Sequence, residues 1–352
     1  MRCVCLLGSV KLWRVLKLPE QFLALSLEAR RDILASAPND LGLPALVLEK
    51  DVWICWVLKH LFENPNRLPM VFKGGTSLSK VFDIIRRMSE DLDITVDCRS
   101  AFEPLNARAS RNQKDKRKLE IQEFLRKYWV EHLQPHLTQM AKEHLGITNL
   151  EFEIETDERV WMSYPSAVQK SMENYIPERI LLEFGGRNIT EPNAQYTVDS
   201  YLGKTVLADT LDFPQAKVIA LVAERTLWEK ITLLHAESHR PEFTANAAER
   251  MSRHWYDVYK LVGTDICERS LSDRALLESV VAAKEELYRS SYSSYQLCLE
   301  KQFKLLPDKD GLKTLSGDFR KMIEAGMFFP DEDPSFDKII ETIRGVEQRL
   351  NL

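Results

Sequence analysis

The sequence lacks the paired cysteines of a disulfide-stabilised or zinc-binding protein. Its 352 residues contain six cysteines, and none of them belongs to a C-x-x-C pair. Six such cysteines are too few to form the disulfide framework of a small secreted domain. Cys3 and Cys5 are spaced like half of a metal site, but no second pair accompanies them, so we expect ordinary thiols. A reducing cytoplasm is the expected environment.

Long hydrophobic runs are also absent. No window approaches the roughly 20 apolar residues that a membrane-spanning helix requires. Lys11 and Arg14 interrupt the apolar start of the chain before it reaches the length of a signal-peptide core. We therefore predict no membrane partner.

Neither sign of charge dominates the chain. The net charge of −5 argues against a protein that coats nucleic acid indiscriminately, although it leaves room for a local basic patch. With 44% hydrophobic and 29% charged residues, the composition is that of a soluble globular protein. We expect a helical segment at 1–45, a core at 46–213 and a helical C-terminal lobe at 214–352, where helical spacing replaces strand spacing.

The most informative stretch is a glycine turn that follows a short apolar run. Residues 70–72 suit a buried strand, and Gly74 and Gly75 interrupt it. Thr76 or Ser77 then caps a predicted helix, whose apolar residues recur at helical spacing. Such a turn presents backbone N–H groups and the positive end of a helix dipole. It therefore predicts a phosphate-binding site at these four residues.

A pair of carboxylates follows on the next predicted strand. Residues 91–97 alternate between polar and apolar side chains, so Asp91 and Asp93 point the same way. Two such carboxylates suit Mg²⁺, which proteins hold with one or two carboxylates together with substrate phosphates. A solvated strand face beside a structural turn is the alternative. The combination of the two motifs favours a site for a nucleotide and a metal.

Residues 73–80 (KGGTSLSK) and 89–94 (SEDLDI) resemble motifs of the polymerase-β-like nucleotidyltransferase superfamily, most closely its AbiEii/AbiGii toxin branch. The resemblance extends over residues 48–262. It implies an α+β fold, with a polymerase-β-like core of a small mixed sheet flanked by helices and then a mostly helical C-terminal lobe. It further implies that the glycine turn, with Lys73 and Lys80, binds an NTP and that the D-x-D pair holds Mg²⁺ or Mn²⁺.

The superfamily resemblance also implies a third carboxylate on a neighbouring strand. Glu183 lies where such a residue falls, near the end of a strand predicted over residues 178–184. It would complete the metal site or act as the general base for an attacking hydroxyl. A surface carboxylate is the alternative interpretation, and Asp199 is a weaker rival for the role.

Two later segments resemble the helices that distinguish the toxin branch. Residues 217–235 resemble its lysine-bearing helix, and residues 247–261 resemble its aspartate-bearing helix. Lys230 has apolar neighbours, so its charge is costly unless it meets an anion such as a triphosphate. A structural ion pair with Glu229 or Asp257 is the alternative. The resemblance implies that Asp257 orients the lysine or contacts the nucleotide.

A basic segment separates the D-x-D strand from the strand of Glu183. Between Arg108 and Lys127, eight basic residues are opposed by three acidic ones. This segment suits a phosphate backbone, and Tyr128 and Trp129 are available to stack on bases. A solvated helix face with aromatic core residues explains the same pattern equally well.

Two helices are expected before the glycine turn, over residues 18–36 and 46–62. The second begins with Glu49, Lys50 and Asp51. A solvated first turn is favoured for these three residues over contact with the nucleotide.

These motifs predict a metal-dependent transfer of a nucleoside monophosphate from an NTP to an acceptor hydroxyl. The resemblance implies the toxin of a toxin–antitoxin or phage-defence pair, with RNA, such as the 3′ end of tRNA, as acceptor and a cognate antitoxin protein as partner. Two alternatives stay open. One is transfer to a protein or small-molecule hydroxyl, and the other is a nucleotide-binding module without catalysis.

Overall fold

The computed structural model of the chain describes residues 20–37, 41–102, 110–168, 178–186, 189–288 and 290–352. Cys3, Cys5 and Arg108 lie outside these residues. The four cysteines that the structure describes are free and buried. None of the described helices combines the length and the apolar composition needed to cross a bilayer.

A mixed sheet of seven strands forms the centre of the fold. The described residues form nine strands, seven of them in this sheet: β1 (Glu20–Gln21), β2 (Met70–Lys73), β3 (Leu92–Val96), β4 (Glu151–Thr156), β5 (Arg159–Ser163), β6 (Arg179–Gly185), β7 (Asn193–Asp199), β8 (Leu211–Asp212) and β9 (Gln215–Leu221). Their order in the sheet is β4-β5-β6-β3-β2-β9-β7, and β1 pairs separately with β8. Strand β3 is antiparallel to β2 and parallel to β6. The strands of the glycine turn, the D-x-D pair and Glu183 are therefore direct neighbours.

Helices form the rest of the regular structure. They are α1 (Leu27–Ser36), α2 (Ala45–Phe62), α3 (Gly74–Lys80), α4 (Arg111–Tyr128), α5 (Gln134–Leu145), α6 (Ala223–Ser238), α7 (Ala245–Ala248), α8 (Ser252–Val262), α9 (Asp265–Ser272), α10 (Arg274–Leu287), α11 (Gln296–Leu299), α12 (Lys309–Glu324) and α13 (Phe336–Leu350). A π-helical turn, Trp129–Leu133, joins α4 to α5. The expected fold class, a mixed sheet with helices and a mostly helical C-terminal part, is confirmed.

Strand β9 corrects the expectation that helical structure begins at residue 214. It pairs with β2 on one side and with β7 on the other, and α6 begins only at Ala223. A short apolar run does not distinguish a buried strand from a buried helix. Here Ala216 and Ala220 are completely buried within the sheet. The division of the chain into three domains stays a prediction.

Two predicted helices are shorter than their apolar patterns suggested. Helix α1 begins at Leu27, because Ser26 caps it by accepting the backbone N–H of Ala29. Helix α3 begins at Gly74 itself and ends at Lys80. Thr76 and Ser77 consequently lie inside the helix and do not cap it.

Residues 49–51 lie in the second turn of α2 and are buried, which makes the expected solvated first turn wrong. Glu49, Lys50 and Asp51 are at most 2% exposed. Glu49 accepts a backbone N–H, Lys50 Nζ lies 2.6 Å from Glu90 Oε2, and Asp51 Oδ1 lies 2.5 Å from Lys80 Nζ. Buried charges need such partners. Lys50 and Asp51 therefore attach α2 to the two segments that carry the motifs, and Glu49 attaches it to residues 166–167.

Candidate active site

Neighbouring strands place four charged side chains in one row. Lys73 on β2 lies opposite Asp93 on β3, and Asp93 lies opposite Glu183 on β6. Directly opposite residues of paired strands project from the same face of a sheet. The row ends at Arg159 on β5, whose Nε lies 2.9 Å from Glu183 Oε1. The structure thus brings together three of the residues selected from the sequence.

Gly74 allows the backbone to approach Asp93 closely. Its φ of +79° is favourable only for glycine. A Cβ atom at this position would lie 2.0 Å from Asp93 Oδ2, which is far inside van der Waals contact. The glycine is therefore required by the backbone conformation and by the position of the carboxylate.

The surroundings of Asp93 oppose its ionisation. Burial is the largest cause that raises the pKa of Asp93 to about 7, and the negative charges of Glu183 and Asp91 add to it, while Lys73 opposes them. Lys73 is itself affected, since the charges of Glu229 and Asp93 outweigh burial and raise its pKa. A carboxyl group in this environment is stabilised by the arrival of a cation.

Asp91 has the opposite environment, because arginines surround it. Arg253 Nη1 lies 3.0 Å from Asp91 Oδ2, and Arg250 Nη2 lies 3.9 Å from the same atom. Burial raises the pKa of Asp91, but the two guanidinium groups outweigh burial and leave the pKa below its usual value. Asp91 is therefore ionised and paired.

The hydroxyl groups of the glycine turn point inward. Thr76 Oγ1 donates to the carbonyl oxygen of Asp91 at 2.6 Å, and Ser77 Oγ donates to the carbonyl oxygen of Gly74 at 2.9 Å. Both residues are completely buried. The Thr76 bond fixes the position of the turn relative to the D-x-D pair.

Lys80, at the end of α3, lies away from the row. Its ammonium group contacts Asp51 and lies 3.9 Å from the centre of the Tyr201 ring. Burial lowers the pKa of Lys80, but Asp51 outweighs burial and the pKa is raised. The lysine is thus a buried cation with partners of its own.

Lys230 and Asp257 form an ion pair between their two helices, a contact that agrees with both the catalytic and the structural interpretation of Lys230. Lys230 Nζ lies 2.8 Å from Asp257 Oδ2 and 3.4 Å from His254 Nδ1. Asp257 also accepts two hydrogen bonds from Arg87, one at each carboxylate oxygen and both at 2.8 Å. Burial raises the pKa of Asp257, but Arg87 and Lys230 outweigh burial and hold the pKa well below its usual range.

Gly75 connects this ion-pair cluster to the sheet. A Cβ atom on Gly75 would lie 3.0 Å from Arg87 Nη2, 3.7 Å from Asp257 Oδ2 and 2.8 Å from Ser89 Oγ. Gly74 therefore packs against Asp93, and Gly75 packs against the Arg87–Asp257 pair. The predicted phosphate, metal and lysine motifs all meet at this glycine turn.

Asp199 does not share the site with Asp93. It ends β7, an edge strand that β2 and β9 separate from β3, and it accepts a hydrogen bond from Gln215 at 2.6 Å. Of the two candidates for the third carboxylate, Glu183 alone is a neighbour of Asp93.

Helix α10 adds a cation that the sequence analysis did not select. Burial lowers the pKa of Lys284 to about 8, and Lys73, Lys230 and Arg225 lower it further while Glu229 opposes them. Clustered cations in a partly enclosed site favour a polyanion. A single lysine in an amphipathic helix gives no sequence signal for such a role.

Arg87 is another residue that sequence reasoning missed, and Arg253 lay within the motif of residues 247–261 without an assigned role. Arg87 stands two residues before the SEDLDI motif, and Arg253 stands one helical turn before Asp257. Their places beside these motifs were the only sequence signals of a role in the site, because the carboxylates that the two arginines contact lie far away in the sequence.

The carboxylates fit a metal ion that nucleotide phosphates help to hold. Among the described residues, no three His, Cys, Asp or Glu side chains are arranged to bind a metal by themselves. Mg²⁺ commonly takes only one or two carboxylates and fills its remaining positions with water or phosphate. Asp91 and Asp93 supply two carboxylates. Because Gly74 has no Cβ atom, no side chain fills the space beside Asp93 Oδ2.

Helix α4 carries the basic segment, and its charges are partly paired. Three exposed pairs have separations of 3.8 to 3.9 Å, namely Arg111–Asp115, Lys116–Glu120 and Lys127–Glu131. Tyr128 and Trp129 are only 7% and 2% exposed. The two aromatic residues are therefore core residues, and stacking on bases is excluded for them in this conformation.

Comparisons with known proteins identify the family of the chain. The family model described as nucleotidyl transferase AbiEii toxin, type IV toxin–antitoxin system, matches residues 56–342. Among solved structures, the chain is similar to MenT4, a nucleotidyltransferase toxin from Mycobacterium tuberculosis H37Rv. The TM-score is 0.44 and the identity 13%, with 91% of this chain and 97% of that chain covered. No curated protein matches the sequence.

Proposed function

Because the chain belongs to the AbiEii family of nucleotidyltransferase toxins of type IV toxin–antitoxin systems, we propose that it transfers a nucleoside monophosphate from an NTP to an acceptor hydroxyl. The acceptor oxygen bonds to the α-phosphorus, the bond from that phosphorus to the bridging oxygen breaks, and diphosphate leaves. The observation that carries the proposal is the meeting of the Lys73–Asp93–Glu183 row with the Lys230–Asp257 pair at Gly74 and Gly75.

Each charged residue of the site has a role in this proposal. Asp91 and Asp93 would hold Mg²⁺ or Mn²⁺, which neutralises charge on the transferring phosphate. Lys230, oriented by Asp257, would neutralise the charge that develops on the diphosphate, because fixed cations in a dry site stabilise it strongly. Glu183 would add a metal ligand or accept the proton of the acceptor hydroxyl.

We assign the triphosphate contacts to the backbone of Gly74 and Gly75 and to the Lys73 side chain. Thr76 would contribute its backbone N–H group, since its hydroxyl already has an acceptor within the protein. Ser77 would support the turn through its hydroxyl, which donates to the Gly74 carbonyl oxygen, because its own N–H lies within the hydrogen-bonded part of α3. Lys80 would act indirectly by holding α3 against α2.

An RNA with a free 3′ hydroxyl, such as tRNA, is the proposed acceptor, because helix α4 adjoins the carboxylate row. Gln122 on α4 donates a hydrogen bond to Glu158 at 2.8 Å, and the next residue, Arg159, contacts Glu183. A nucleic-acid strand that follows the basic face of α4 would thus reach the row. A cognate antitoxin is the proposed protein partner, and the cytoplasm the proposed compartment.

A protein or small-molecule hydroxyl is the second candidate acceptor. The ion pairs within α4 reduce the positive charge that this helix offers to a phosphate backbone. The donor half of the site would serve such an acceptor equally well.

Incubation with NTPs labelled at the α- or the γ-phosphate, with Mg²⁺ and total RNA, tests the proposal. We expect label from the α-phosphate in RNA and none from the γ-phosphate, and no label with Asp93→Asn. Label from the α-phosphate in protein would favour the second candidate acceptor. Label from the γ-phosphate in protein would indicate phosphoryl transfer instead. No transfer from any of the NTPs to any macromolecule or small molecule would contradict the proposal.

A further inference from the structure

Asp318 connects the C-terminal helices, which carry no recognised motif, to the candidate site. The residue lies on α12 and is 6% exposed. Its Oδ1 accepts the backbone N–H of Arg250 at 2.8 Å. Its Oδ2 accepts the backbone N–H of Ser252 at 2.9 Å and the Ser252 hydroxyl at 2.5 Å. Three donors therefore converge on one carboxylate at the start of α8.

The local sequence does not supply this acceptor. The residue at the N-cap position of α8 is Met251, whose side chain makes no capping hydrogen bond. The first N–H groups of a helix need acceptors from elsewhere, and a carboxylate also complements the helix dipole. Asp318 thus performs for α8 the task of a capping residue, although it belongs to a different helix.

The capped segment carries the arginines of the site. Arg250 has a φ of +58°, an uncommon conformation for a residue with a side chain. Its Nη2 lies 2.8 Å from Glu90 Oε1, and Arg253 lies 3.0 Å from Asp91. Asp257 follows one turn later on the same helix. A shift at the start of α8 would therefore move the partners of Asp91 and Lys230 together.

The same C-terminal region also holds the segment that leads into the D-x-D pair. The backbone N–H of Met88 donates to the carbonyl oxygen of Met327 at 2.7 Å, and that of Phe329 donates to the carbonyl oxygen of Arg86 at 3.1 Å. Both sides of the Arg253–Asp91 ion pair are thus attached to residues 318–329.

We infer that Asp318 is a positioning residue of the nucleotide site, which sets α8, and with it Arg253 and Asp257, against Asp91 and Lys230. The inference rests on the proposed function for its kinetic consequence. Its structural part, the capping of α8 by a side chain from α12, stands independently.

The test compares Asp318→Asn with a control on the same helix. Asparagine has nearly the volume of aspartate but only one acceptor oxygen in place of two. Its NH₂ group would face either the N–H of Arg250 or the N–H and O–H groups of Ser252. Asp308→Ala is the matched control, because Asp308 caps α12 by accepting the backbone N–H of Gly311 at 2.9 Å. This variant weakens α12 without removing any acceptor from α8.

Two measurements decide the outcome, amide hydrogen exchange over residues 250–258 and the kinetics of nucleotide transfer. For Asp318→Asn we expect exchange to accelerate about tenfold or more and kcat to fall about tenfold or more with a rise of about threefold in the KM for NTP. A smaller folded fraction alone would lower kcat without changing KM. The control should stay within about twofold of the wild type in exchange rate, in kcat and in KM.

Wild-type kinetics in Asp318→Asn would overturn the positioning role, and so would equal changes in the control. If the wild-type protein transfers no nucleotide, the proposed function fails. In that case the exchange measurement alone decides whether Asp318 orders the start of α8, and unchanged exchange would overturn the inference.

Discussion

Arg253 Nη1 lies 3.0 Å from Asp91 Oδ2, so a guanidinium group already neutralises one of the two carboxylates of the D-x-D pair. The other carboxylate, Asp93, stands opposite Glu183 and next to Gly74. Two aspartates on one strand face therefore have different environments. The pKa of Asp91 is lowered, chiefly because Arg253 and Arg250 outweigh burial, and the pKa of Asp93 is raised, chiefly by burial.

Asp91→Asn and Asp93→Asn should affect activity alike but stability differently. Each should lower transfer by about a hundredfold or more, because the metal would lose a charged ligand. In the absence of metal at pH 8, Asp91→Asn should cost about 1–3 kcal/mol, since it leaves the half-buried Arg253 without the carboxylate that it contacts. Asp93→Asn should be as stable as the wild type or more so, because burial opposes the charge that it removes. Urea denaturation checks the difference, and equal losses in both variants would contradict it.

Gly74→Ala should abolish transfer, because the new Cβ would collide with Asp93 Oδ2. Gly146→Ala is the matched control. Gly146 has a similar φ of +68°, and a Cβ there would meet nothing within 4 Å. Gly146→Ala should lose about 1–2 kcal/mol through the backbone conformation and keep its activity. Gly74→Ala should lose at least as much stability, because the collision adds to the backbone cost, and it alone should lose activity. Thermal melts and transfer assays on the pair separate the two effects, and an active Gly74→Ala enzyme would exclude the assigned geometry.

Lys230 and Asp257 should act as one unit in catalysis. Asp257→Ala leaves the buried cations Arg87 and Lys230 unpaired and should cost about 3–5 kcal/mol in stability, so the kinetic test uses Asp257→Asn and Lys230→Met. Residues that share one task are non-additive, and the double variant should be little worse in kcat/KM than Lys230→Met alone. Fully additive losses would mean that the two residues contribute separately.

Reversal of Arg111, Lys116 and Lys118 to Glu should weaken RNA binding if α4 guides the acceptor. All three side chains are exposed, whereas Arg117 contacts Phe102 and is spared. The salt dependence of binding should fall by about one unit for each phosphate group that the helix no longer neutralises. The same reversals at Lys313, Arg320 and Lys321 on α12 are the charge-matched control. Equal effects in both triple variants, or none in either, would mean that α4 is not the RNA path.

His60 should make the folded state lose stability as the pH falls. Burial, followed by His144 and Lys59, lowers the pKa of His60 to about 3 in the folded protein. The unfolded chain therefore takes up a proton below pH 6.5 that the folded chain refuses, and stability falls towards acid. The loss between pH 7 and pH 5 should be about 2 kcal/mol from this residue. His60→Gln should reduce the slope of unfolding free energy against pH, and an unchanged slope in this variant would contradict the prediction.

Local motifs were predictable from the sequence because the residues that define them are neighbours in the chain. The Gly74–Gly75 turn, the alternation around Asp91 and Asp93 and the strand of Glu183 depend on dihedral preferences and side-chain spacing over a few residues. The register that sets Asp93 opposite Glu183 required the assembled sheet. Strand β9 was predicted as helix because a short apolar run fits the residue spacing of a buried helix as well as that of a buried strand.

By itself, the sequence determined which residue types could carry the chemistry: two glycines, a D-x-D pair, a lysine and an aspartate on separate helices. Only the tertiary structure decided their electrostatic states. Arg253 is 162 residues from Asp91, and Arg87 is 170 residues from Asp257. The pKa of a carboxyl group depends on burial and on charges within a few ångströms, and neither can be read from spacing along the chain. Asp318 shows the same limit, because the acceptor that caps α8 comes from a helix with no motif of its own.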